Sequence, residues 1–329
     1  MTTATKYNLL PEWAPQDAVM LAWPHQGTDW ADDLPAVVEC YKQISTHILD
    51  TEGLIVVTPD VAQAKRDLGP LEQQVRFFQL PTNDTWARDF GPITVLANGA
   101  PTPLDYCFNA WGMKFAANHD NQVNGHLAAR GLFAQPLISH QDFVLEGGSI
   151  ESDGHGTILT TTSCLMAPNR GKRSNREYIE KRLKHDFGAL QILWLEGCEI
   201  PGDDTDGHID TLARFTDEHT IACCAGANQL RKMTDAQGHP YQVVELPMPD
   251  PITDTDGSPL PATYANFLIL NDQVLVPIYG QEEEDTQALG IIASLFPNRK
   301  ITGIDCNALV RQHGSLHCVT MQFPQNTLK

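Results

Sequence analysis

The chain repeats one arrangement five times, in which a short apolar strand pattern begins with a residue able to do chemistry. The five residues are Asp89, Glu146, Asp210, Asn266 and Cys318. Successive members are 57, 64, 56 and 52 positions apart, and His208 lies two residues before the third. A period in this range is typical of stacked or radially arranged supersecondary units. If five units surround one axis, these side chains and His208 point into one central cavity.

Local patterns give each unit a few strands and a helix. Further apolar strand patterns cover 53–58, 75–80, 191–195, 241–246 and 300–305. Turn signals follow several of the five strands, at 98–99, 153–156, 217–219 and 271–272. Helical spacing covers 34–49, 174–184 and 283–296, the second opening with a capping-box pattern at Ser174 and Glu177. Since no linker divides the chain, the sequence predicts an α/β fold and a single domain over residues 1–329.

Charge and cysteine content narrow the class of partner. The 329 residues carry a net charge of −19 with a pI near 4.9, which argues against nucleic acid or an anionic membrane. A negative field suits a small cationic substrate. The eight cysteines form no CxxC pair, so they predict buried free thiols and a cytoplasmic location. No stretch approaches the roughly 18 apolar residues of a membrane span.

The five residues and His208 together fit the chemistry of a guanidinium group. Clustered carboxylates need a counter-cation, and a guanidinium pairs with them through a bidentate fork. A cysteine thiolate can attack its central carbon, and a histidine can protonate the departing ammonia and then deprotonate water. The reaction class is hydrolytic deimination without metal or organic cofactor. The acidic loop formed by Asp203, Asp204 and Asp206 lacks calcium-binding spacing and is interpreted as a solvated turn.

Eight short segments, spread over most of the chain, resemble one enzyme family. They are residues 21–30, 83–92, 108–112, 145–150, 204–210, 264–267, 296–299 and 317–318. In order and spacing they resemble the agmatine deiminases, grouped with bacterial peptidylarginine deiminases in the pentein superfamily. One departure is the sequence His313-Gly-Ser-Leu-His-Cys, where family members carry a run of glycines.

The resemblance implies a five-bladed pseudosymmetric α/β propeller around a central active-site cavity. It also implies roles for individual residues: Cys318 as nucleophile, His208 as general acid/base, and Asp89 and Asp210 as the guanidinium-binding carboxylates. Glu146 matches a glutamate beside the histidine, and Asn266 matches a polar residue near the cysteine.

Neighbouring residues provide candidate pocket walls. Trp86 and Trp111 are expected to line the pocket, although core packing is equally consistent with their sequence. Gly148 is expected either to allow close backbone approach to the substrate or to form a plain bulge. Arg88 is expected on the opposite strand face, in a salt bridge behind the site. His208 and Asp210 are expected on one face of a strand.

The expected function is therefore agmatine deimination, giving N-carbamoylputrescine and ammonia in polyamine biosynthesis. Two alternatives remain open: a deiminase of peptidyl or free arginine, and a catalytically silent polyamine-binding module. The expected partner is the small cationic substrate, with no nucleic acid and no membrane, and the chain is a candidate homo-oligomer.

Overall fold

The computed structural model describes residues 5–171 and 175–329 as short strands joined by helices and turns. The strands are β1 Tyr7–Leu9, β2 Gln16–Ala22, β3 Gly53–Thr58, β4 Val75–Gln79, β5 Ile93–Ala97, β6 Ala100–Cys107, β7 Ile138–Val144, β8 Ile150–Ser152, β9 Thr157–Thr161, β10 Gln191–Leu195, β11 Ala213–Asp217, β12 Thr220–Cys223, β13 Gln242–Glu245, β14 Ile252–Thr253, β15 Pro259–Leu260, β16 Leu268–Ile269, β17 Gln273–Ile278, β18 Lys300–Asp305 and β19 Thr320–Pro324.

Helical segments separate these strands. They are α1 Leu34–Leu49, α2 Val61–Leu68, α3 Ala87–Phe90, α4 Ala110–Met113, α5 Val123–Ala129, α6 Thr162–Leu165, α7 Arg176–Phe187, α8 Ala227–Leu230, α9 Glu282–Leu295 and α10 Asn307–Val310. Short 3₁₀ segments cover Gly69–Gln74, Asp120–Gln122, Gly147–Ser149, Pro168–Arg170 and Ile209–Thr211. No helix within the described ranges is long and apolar enough to cross a membrane.

Five of the sheets share one arrangement, an antiparallel pair with a third strand added in parallel to its second member. The antiparallel pairs are β5–β6, β8–β9, β11–β12, β16–β17 and β19–β2. The parallel third strands are β7, β10, β13, β18 and β3, in the same order. In the fifth sheet the pair joins distant parts of the chain, with Met321 opposite Met20. The five repeats predicted from the sequence are therefore five copies of one strand pattern.

Turn chemistry explains why the hairpins form where the sequence predicts them. In the β5–β6 hairpin, Asn98 and Gly99 both have positive φ, at 51° and 86°. Two positive φ angles match the right-handed twist of the flanking strands, and asparagine followed by glycine adopts them at low cost. The hairpin then places Ala97 opposite Ala100 and Ile93 opposite Leu104.

Apolar faces at helical spacing bury the helices against the sheets. The predicted helix at 34–49 is α1, whose buried side chains include Val37, Tyr41, Ile44 and Ile48. The predicted helix at 283–296 is α9, shifted by one residue. Ser174, the predicted start of the capping box, lies outside the described residues. The side chain of Asn175 accepts a hydrogen bond from the backbone of Tyr178, capping α7.

The chemistry-bearing residues lie one turn before their strands, which corrects their predicted place at the strand starts. Asp89 lies in α3, two residues before the Gly91–Pro92 link to β5. Glu146 precedes the turn Gly147–Ser149, and Asp210 lies within the turn Ile209–Thr211. Successive side chains of a helical turn point in different directions around its axis, so one of them can face the site just before the strand begins.

Candidate active site

Gly148 lies at the point where three repeats meet. A Cβ atom placed on it would lie 2.7 Å from Nδ1 of His208, 2.9 Å from Oδ1 of Asp89 and 3.0 Å from Oδ2 of Asp210. Any other amino acid would push these side chains apart, so glycine is required here for close approach. The structure thus brings together four of the residues singled out in the sequence.

Asp89 is held by donors on both carboxylate oxygens. Trp111 donates its indole N–H to Oδ2 at 2.8 Å, and the backbone N–H of Gly148 donates to Oδ1 at 3.0 Å. Nδ1 of His208 lies 3.6 Å from the same Oδ1. Burial raises the pKa of Asp89 to about 6, with Asp210 and Glu146 adding to the rise and His208 opposing it.

Asp210 faces the other histidine of the site. Its Oδ2 lies 2.7 Å from Nδ1 of His317 and 3.8 Å from the sulfur of Cys318. Its Oδ1 is buried and has no hydrogen-bond partner among the described residues. Burial alone would raise the pKa of Asp210, but its contact with His317 and the charges of His208 and Arg214 hold it below its ordinary value. Asp210 is therefore an ionised carboxylate with one oxygen free to bind a cation.

Cys318 is buried beside Asn266. The side-chain amide of Asn266 donates to the sulfur at 3.2 Å, and its carbonyl oxygen accepts from the backbone N–H of His317 at 2.9 Å and of Cys318 at 3.3 Å. Burial, followed by the charges of Asp210 and Asp89, raises the pKa of the Cys318 thiol well above its ordinary value. The amide thus fixes the position of a thiol that is neutral while the carboxylates have no counter-cation.

His208 is fully buried, and neither ring nitrogen has a hydrogen-bond partner among the described residues. Burial alone would lower its pKa, but Asp89, Cys164 and Glu146 together raise it well above the ordinary value. The carboxylate of Glu146 lies 2.7 Å from Nε of Arg170. The arrangement leaves a charged imidazole free to transfer a proton.

Two buried clusters have donor atoms close enough to hold a metal ion. The first contains Glu146, Cys164 and His208, and the second contains Glu12, Glu151 and His317. Arg170 pairs with Glu146 in the first cluster. Arg214 bonds both Glu12, at 2.6 Å, and Glu151 in the second. The guanidinium groups therefore already supply the positive charge that a metal would bring.

A cleft of about 520 Å³, part of it open to solvent, leads to Cys318 and Asp89. Its walls include Trp86, Trp111 and Phe115. The polar lining residues are Asp29, Asp84, Asp204, Thr205, Thr211, Gln312 and His313. Among the described residues, three further acidic side chains line the cleft besides Asp89 at its base, and no lysine or arginine does.

Trp111 is carried by a strained segment. Ala110, Trp111, Gly112 and Met113 have φ angles of 51°, 53°, 87° and 68°, so α4 is a left-handed turn. Positive φ is a genuine outlier for a bulky side chain, and such residues concentrate at functional sites. Asn109 stabilises the turn by accepting from the backbone N–H of Gly112 at 2.9 Å. The turn brings the indole N–H to Asp89.

Two sequence-based predictions about this region are wrong. Arg88 makes no salt bridge within the described part of the chain; its Nε lies 3.5 Å from the backbone oxygen of His317. His208 and Asp210 do not share a strand face, because they flank the start of a 3₁₀ turn. His208 faces Asp89, whereas Asp210 faces His317. The two residues reach the same cavity from different sides.

The acidic loop is used internally, which corrects its interpretation as a solvated turn. Asp203 accepts hydrogen bonds from the backbone of Gly207 and from Thr205. Asp206 bonds Arg170 at 2.6 Å and Lys114 at 2.9 Å. The loop therefore fixes the start of the segment that carries His208.

The charged residues behind the site were missed in the sequence. They are Glu12, Glu151, Arg170 and Arg214. Arg214 had a usable signal, since a charged residue inside the apolar strand pattern at 211–215 is rarely buried unless it is paired. Glu12 lies in an irregular segment and Arg170 ends a short 3₁₀ turn, and neither had such a signal.

Comparison with known proteins identifies the family. The family model of Porphyromonas-type peptidyl-arginine deiminases matches residues 8–324. A candidate arginine deiminase from Porphyromonas gingivalis is 49% identical, with a TM-score of 0.94 over 98% of this chain and 100% of that one. An agmatine deiminase of C. jejuni, solved as a cysteine-to-serine variant with substrate bound, is 36% identical, with a TM-score of 0.90 over 100% and 99%.

Relatives of known sequence agree with the structural neighbours. A candidate agmatine deiminase of Vibrio parahaemolyticus is 32% identical over 95% of both chains. A dimethylarginine dimethylaminohydrolase, 12% identical with a TM-score of 0.55, shares the fold alone. With the α/β fold, the site geometry and these matches in agreement, the chain is an enzyme that belongs to the Porphyromonas-type peptidyl-arginine deiminase family.

Proposed function

We propose that this protein is an agmatine deiminase, which hydrolyses the guanidinium of agmatine to give N-carbamoylputrescine and ammonia. The observation that carries the proposal is the convergence of Asp89, Asp210, His208 and Cys318 at the base of an acidic cleft. The agmatine deiminases among the structural neighbours support it.

The two aspartates bind the guanidinium. Asp210 has a free, ionised oxygen, and Asp89 is oriented by Trp111 and Gly148. A guanidinium presents pairs of N–H donors that match carboxylates, so the two together fix its plane and its central carbon. Trp86 and Trp111 line the alkyl chain.

Cys318 is the nucleophile. Its sulfur lies 3.8 Å from Asp210, so a guanidinium on that carboxylate places its carbon close to the sulfur. The bound cation also offsets the two carboxylates that keep the thiol neutral, which favours the thiolate when substrate is present. The thiolate forms a bond to the guanidinium carbon and gives a tetrahedral adduct. A cysteine-to-serine variant that retains substrate in the C. jejuni enzyme supports a cysteine in this role.

His208 moves the protons. As the carbon–nitrogen bond breaks, the imidazolium donates a proton to the departing nitrogen, and ammonia leaves a thiouronium on Cys318. The neutral imidazole then takes a proton from water, whose oxygen attacks the same carbon and displaces the sulfur. Asp89, Cys164 and Glu146 raise the pKa of His208, which makes the neutral ring a stronger base for this step. One water is consumed, and one ureido product and one ammonia are formed.

The cleft favours an amine over a carboxylate at the far end of the substrate. Asp29, Asp84 and Asp204 line it, and the ammonium of Lys114 is already paired with Asp206. Arginine would bring a carboxylate into this negative field at a cost, whereas agmatine brings a second cation.

Two alternatives are kept. Deimination of peptidyl or free arginine is favoured by the family description and by the 49% identical P. gingivalis relative. A catalytically silent polyamine-binding module would use the same acidic cleft, but it would not need a buried cysteine, histidine and two aspartates in this geometry.

The repeat supports a wider proposal about architecture and setting. We infer that the five sheets form the blades of a propeller around the site and that residues 1–329 act as one catalytic domain. We also infer that the enzyme works in the cytoplasm, in polyamine biosynthesis, as a homo-oligomer or alone. It acts without metal or organic cofactor.

The test is to supply agmatine, free arginine and an arginyl peptide separately and to measure ureido product, with Cys318→Ala as the blank. Agmatine should give a kcat/KM at least about tenfold above either competitor, the discrimination that about 1.4 kcal/mol provides. Preference for arginine or the peptide would move the protein to the second class. No product from any of the three would favour the binding module.

A further inference from the structure

His317 spans the wall between the cleft and a second cavity behind it. The second cavity encloses about 640 Å³, part of it open to solvent, and is lined by Glu12, Arg88, Glu151 and His317 among others. The cleft is lined by Asp89 and Cys318, the residues that follow Arg88 and His317 in the chain. The two spaces share no lining residue, and at both places consecutive residues of the chain line opposite spaces.

The ring of His317 bonds a carboxylate at each end. Nδ1 lies 2.7 Å from Oδ2 of Asp210, in the site, and Nε2 lies 2.7 Å from Oε2 of Glu12, on the rear cavity. A neutral imidazole has one N–H and can satisfy only one of these oxygens. The second contact is completed when the ring gains a proton, so the geometry contains a ready site for one.

The thiol of Cys318 is the nearest source of that proton. Its sulfur lies 3.8 Å from the same Oδ2 of Asp210 that contacts His317. The other charged groups around the ring are Arg88, Arg214 and, beyond Arg214, Glu151. Burial, Arg214 and Arg88 lower the pKa of His317, whereas the charge of Glu12 and the hydrogen bond with Asp210 raise it, so both carboxylates favour the protonated ring.

We propose that the thiol proton of Cys318 is transferred through Asp210 to His317, where Glu12 stabilises it. The S–H bond breaks, Asp210 passes the proton on, and an N–H bond forms on Nδ1 of His317 while Nε2–H faces Glu12. No charge enters or leaves the buried site, because a thiolate and an imidazolium replace a thiol and an imidazole. His317 and Glu12 are thus positioning residues that act through Asp210. The inference rests on the proposed role of Cys318 as nucleophile.

The direction in which a Glu12 variant shifts the pKa of the Cys318 thiol distinguishes this relay from a purely electrostatic effect. Removing the negative charge of Glu12 would lower the thiol pKa if it acted only through space, since a nearby carboxylate disfavours a thiolate. In the relay, the same change destabilises the imidazolium and raises the apparent thiol pKa. The two readings predict opposite directions.

The experiment measures the rate of Cys318 alkylation by iodoacetamide across pH, with the modified peptide quantified by mass spectrometry. Glu12→Gln and His317→Gln should shift the profile to higher pH by about one unit, which is an about tenfold slower alkylation at each pH below the thiol pKa. Glu151→Gln is the matched control, because Glu151 pairs with the same Arg214 but forms no hydrogen bond with His317 among the described residues. It should leave the profile in place or shift it to lower pH.

An unchanged or acid-shifted profile in folded Glu12→Gln or His317→Gln overturns the relay. If Glu12→Gln does not fold, Glu12→Asp is the second variant, because it keeps the charge beside Arg214 but moves it away from the His317 ring. It should give a smaller alkaline shift of the alkylation profile. An unshifted profile in Glu12→Asp would also overturn the relay. Alkylation requires no turnover. Failure of the wild-type enzyme to deiminate agmatine therefore counts against the proposed function, and leaves this measurement intact.

Discussion

The two buried histidines of the site have opposite surroundings. Both ring nitrogens of His208 lack hydrogen-bond partners among the described residues, whereas both ring nitrogens of His317 lie 2.7 Å from carboxylate oxygens. His208 is surrounded by Asp89, Glu146 and Cys164, which raise its pKa, while burial and two guanidinium groups lower that of His317.

The difference shows how two histidines of one cavity can have different roles. An unbonded ring can approach a reacting atom and exchange a proton with it. A ring fixed at both ends can orient its partners and hold a proton, but it cannot turn toward the substrate. The region around His208 is thus built for the substrate, and the region around His317 for the sulfur.

The largest effect is expected at Cys318, where the two regions meet. Cys318→Ala should reduce kcat by roughly 10⁴-fold or more, as loss of a nucleophile does elsewhere. Agmatine binding should persist, because the aspartates remain, and calorimetry on the inactive variant measures it. Cys223→Ala removes a buried strand thiol away from the cleft and should stay active. Near-normal turnover by Cys318→Ala would place the nucleophile elsewhere.

Replacing His208 tests its side of the comparison. His208→Gln should lower kcat by about 10²–10⁴-fold with a small change in KM, because proton transfer is lost and the carboxylates are kept. The second half-reaction then lacks a base, so mass spectrometry should find Cys318 carrying the substrate minus ammonia. His126→Gln, on an exposed helix position, serves as control. A variant that loses affinity but keeps kcat would show His208 to be a binding residue.

The two aspartates should differ in pH dependence. Asp89→Asn and Asp210→Asn should each raise KM and lower kcat, because each misplaces the guanidinium carbon. We expect kcat/KM of either variant to fall on the order of 100-fold. Since Asp89 must be ionised to bind the cation and its pKa is raised to about 6, wild-type kcat/KM should fall as pH decreases through about 6. Asp89→Asn should remove this acid limb and Asp210→Asn should retain it. Steady-state kinetics between pH 5 and 8 would decide, and an acid limb in both variants would contradict the assignment.

The smallest effect is expected from chelation. In the acidic loop beside His208, Asp203 accepts hydrogen bonds from Gly207 and Thr205, and Asp206 pairs with Arg170 and Lys114. These carboxylates therefore already have partners. Activity should survive prolonged EDTA treatment unchanged in a standard ureido assay. A loss restored by Ca²⁺ would show that the loop binds metal.

Much of the fold was predictable because its pieces are local. The strands 53–58, 191–195 and 300–305 have the predicted bounds, as does α1, since alternating or helical apolar spacing reports them directly. The hairpin turns follow from residues such as Asn98 and Gly99. The apolar spacing does not predict the helical turn that precedes each of the strands β5, β8 and β11. Placing Asp210 on the strand therefore gave it the wrong neighbour.

The residues of the site were predictable, but their connections were not. Glu12 meets His317 across 305 positions and Arg214 across 202, and no local pattern links residues so far apart. Arg88 was assigned a salt bridge from strand alternation, yet it lies in α3, where alternation does not apply. Partner choice in a buried cluster depends on the packing of several repeats, which single-sequence reasoning does not contain.

The pairing of β19 with β2 has a consequence for how the enzyme comes into being. Four of the antiparallel pairs join consecutive strands, so each can form as soon as it leaves the ribosome. The pair that supports Cys318 must wait until Met321 can reach Met20, and closing so long a loop is slow. The carboxylates and His208 are therefore synthesised well before the sulfur joins them. A nascent chain therefore holds no assembled site until the last repeat closes.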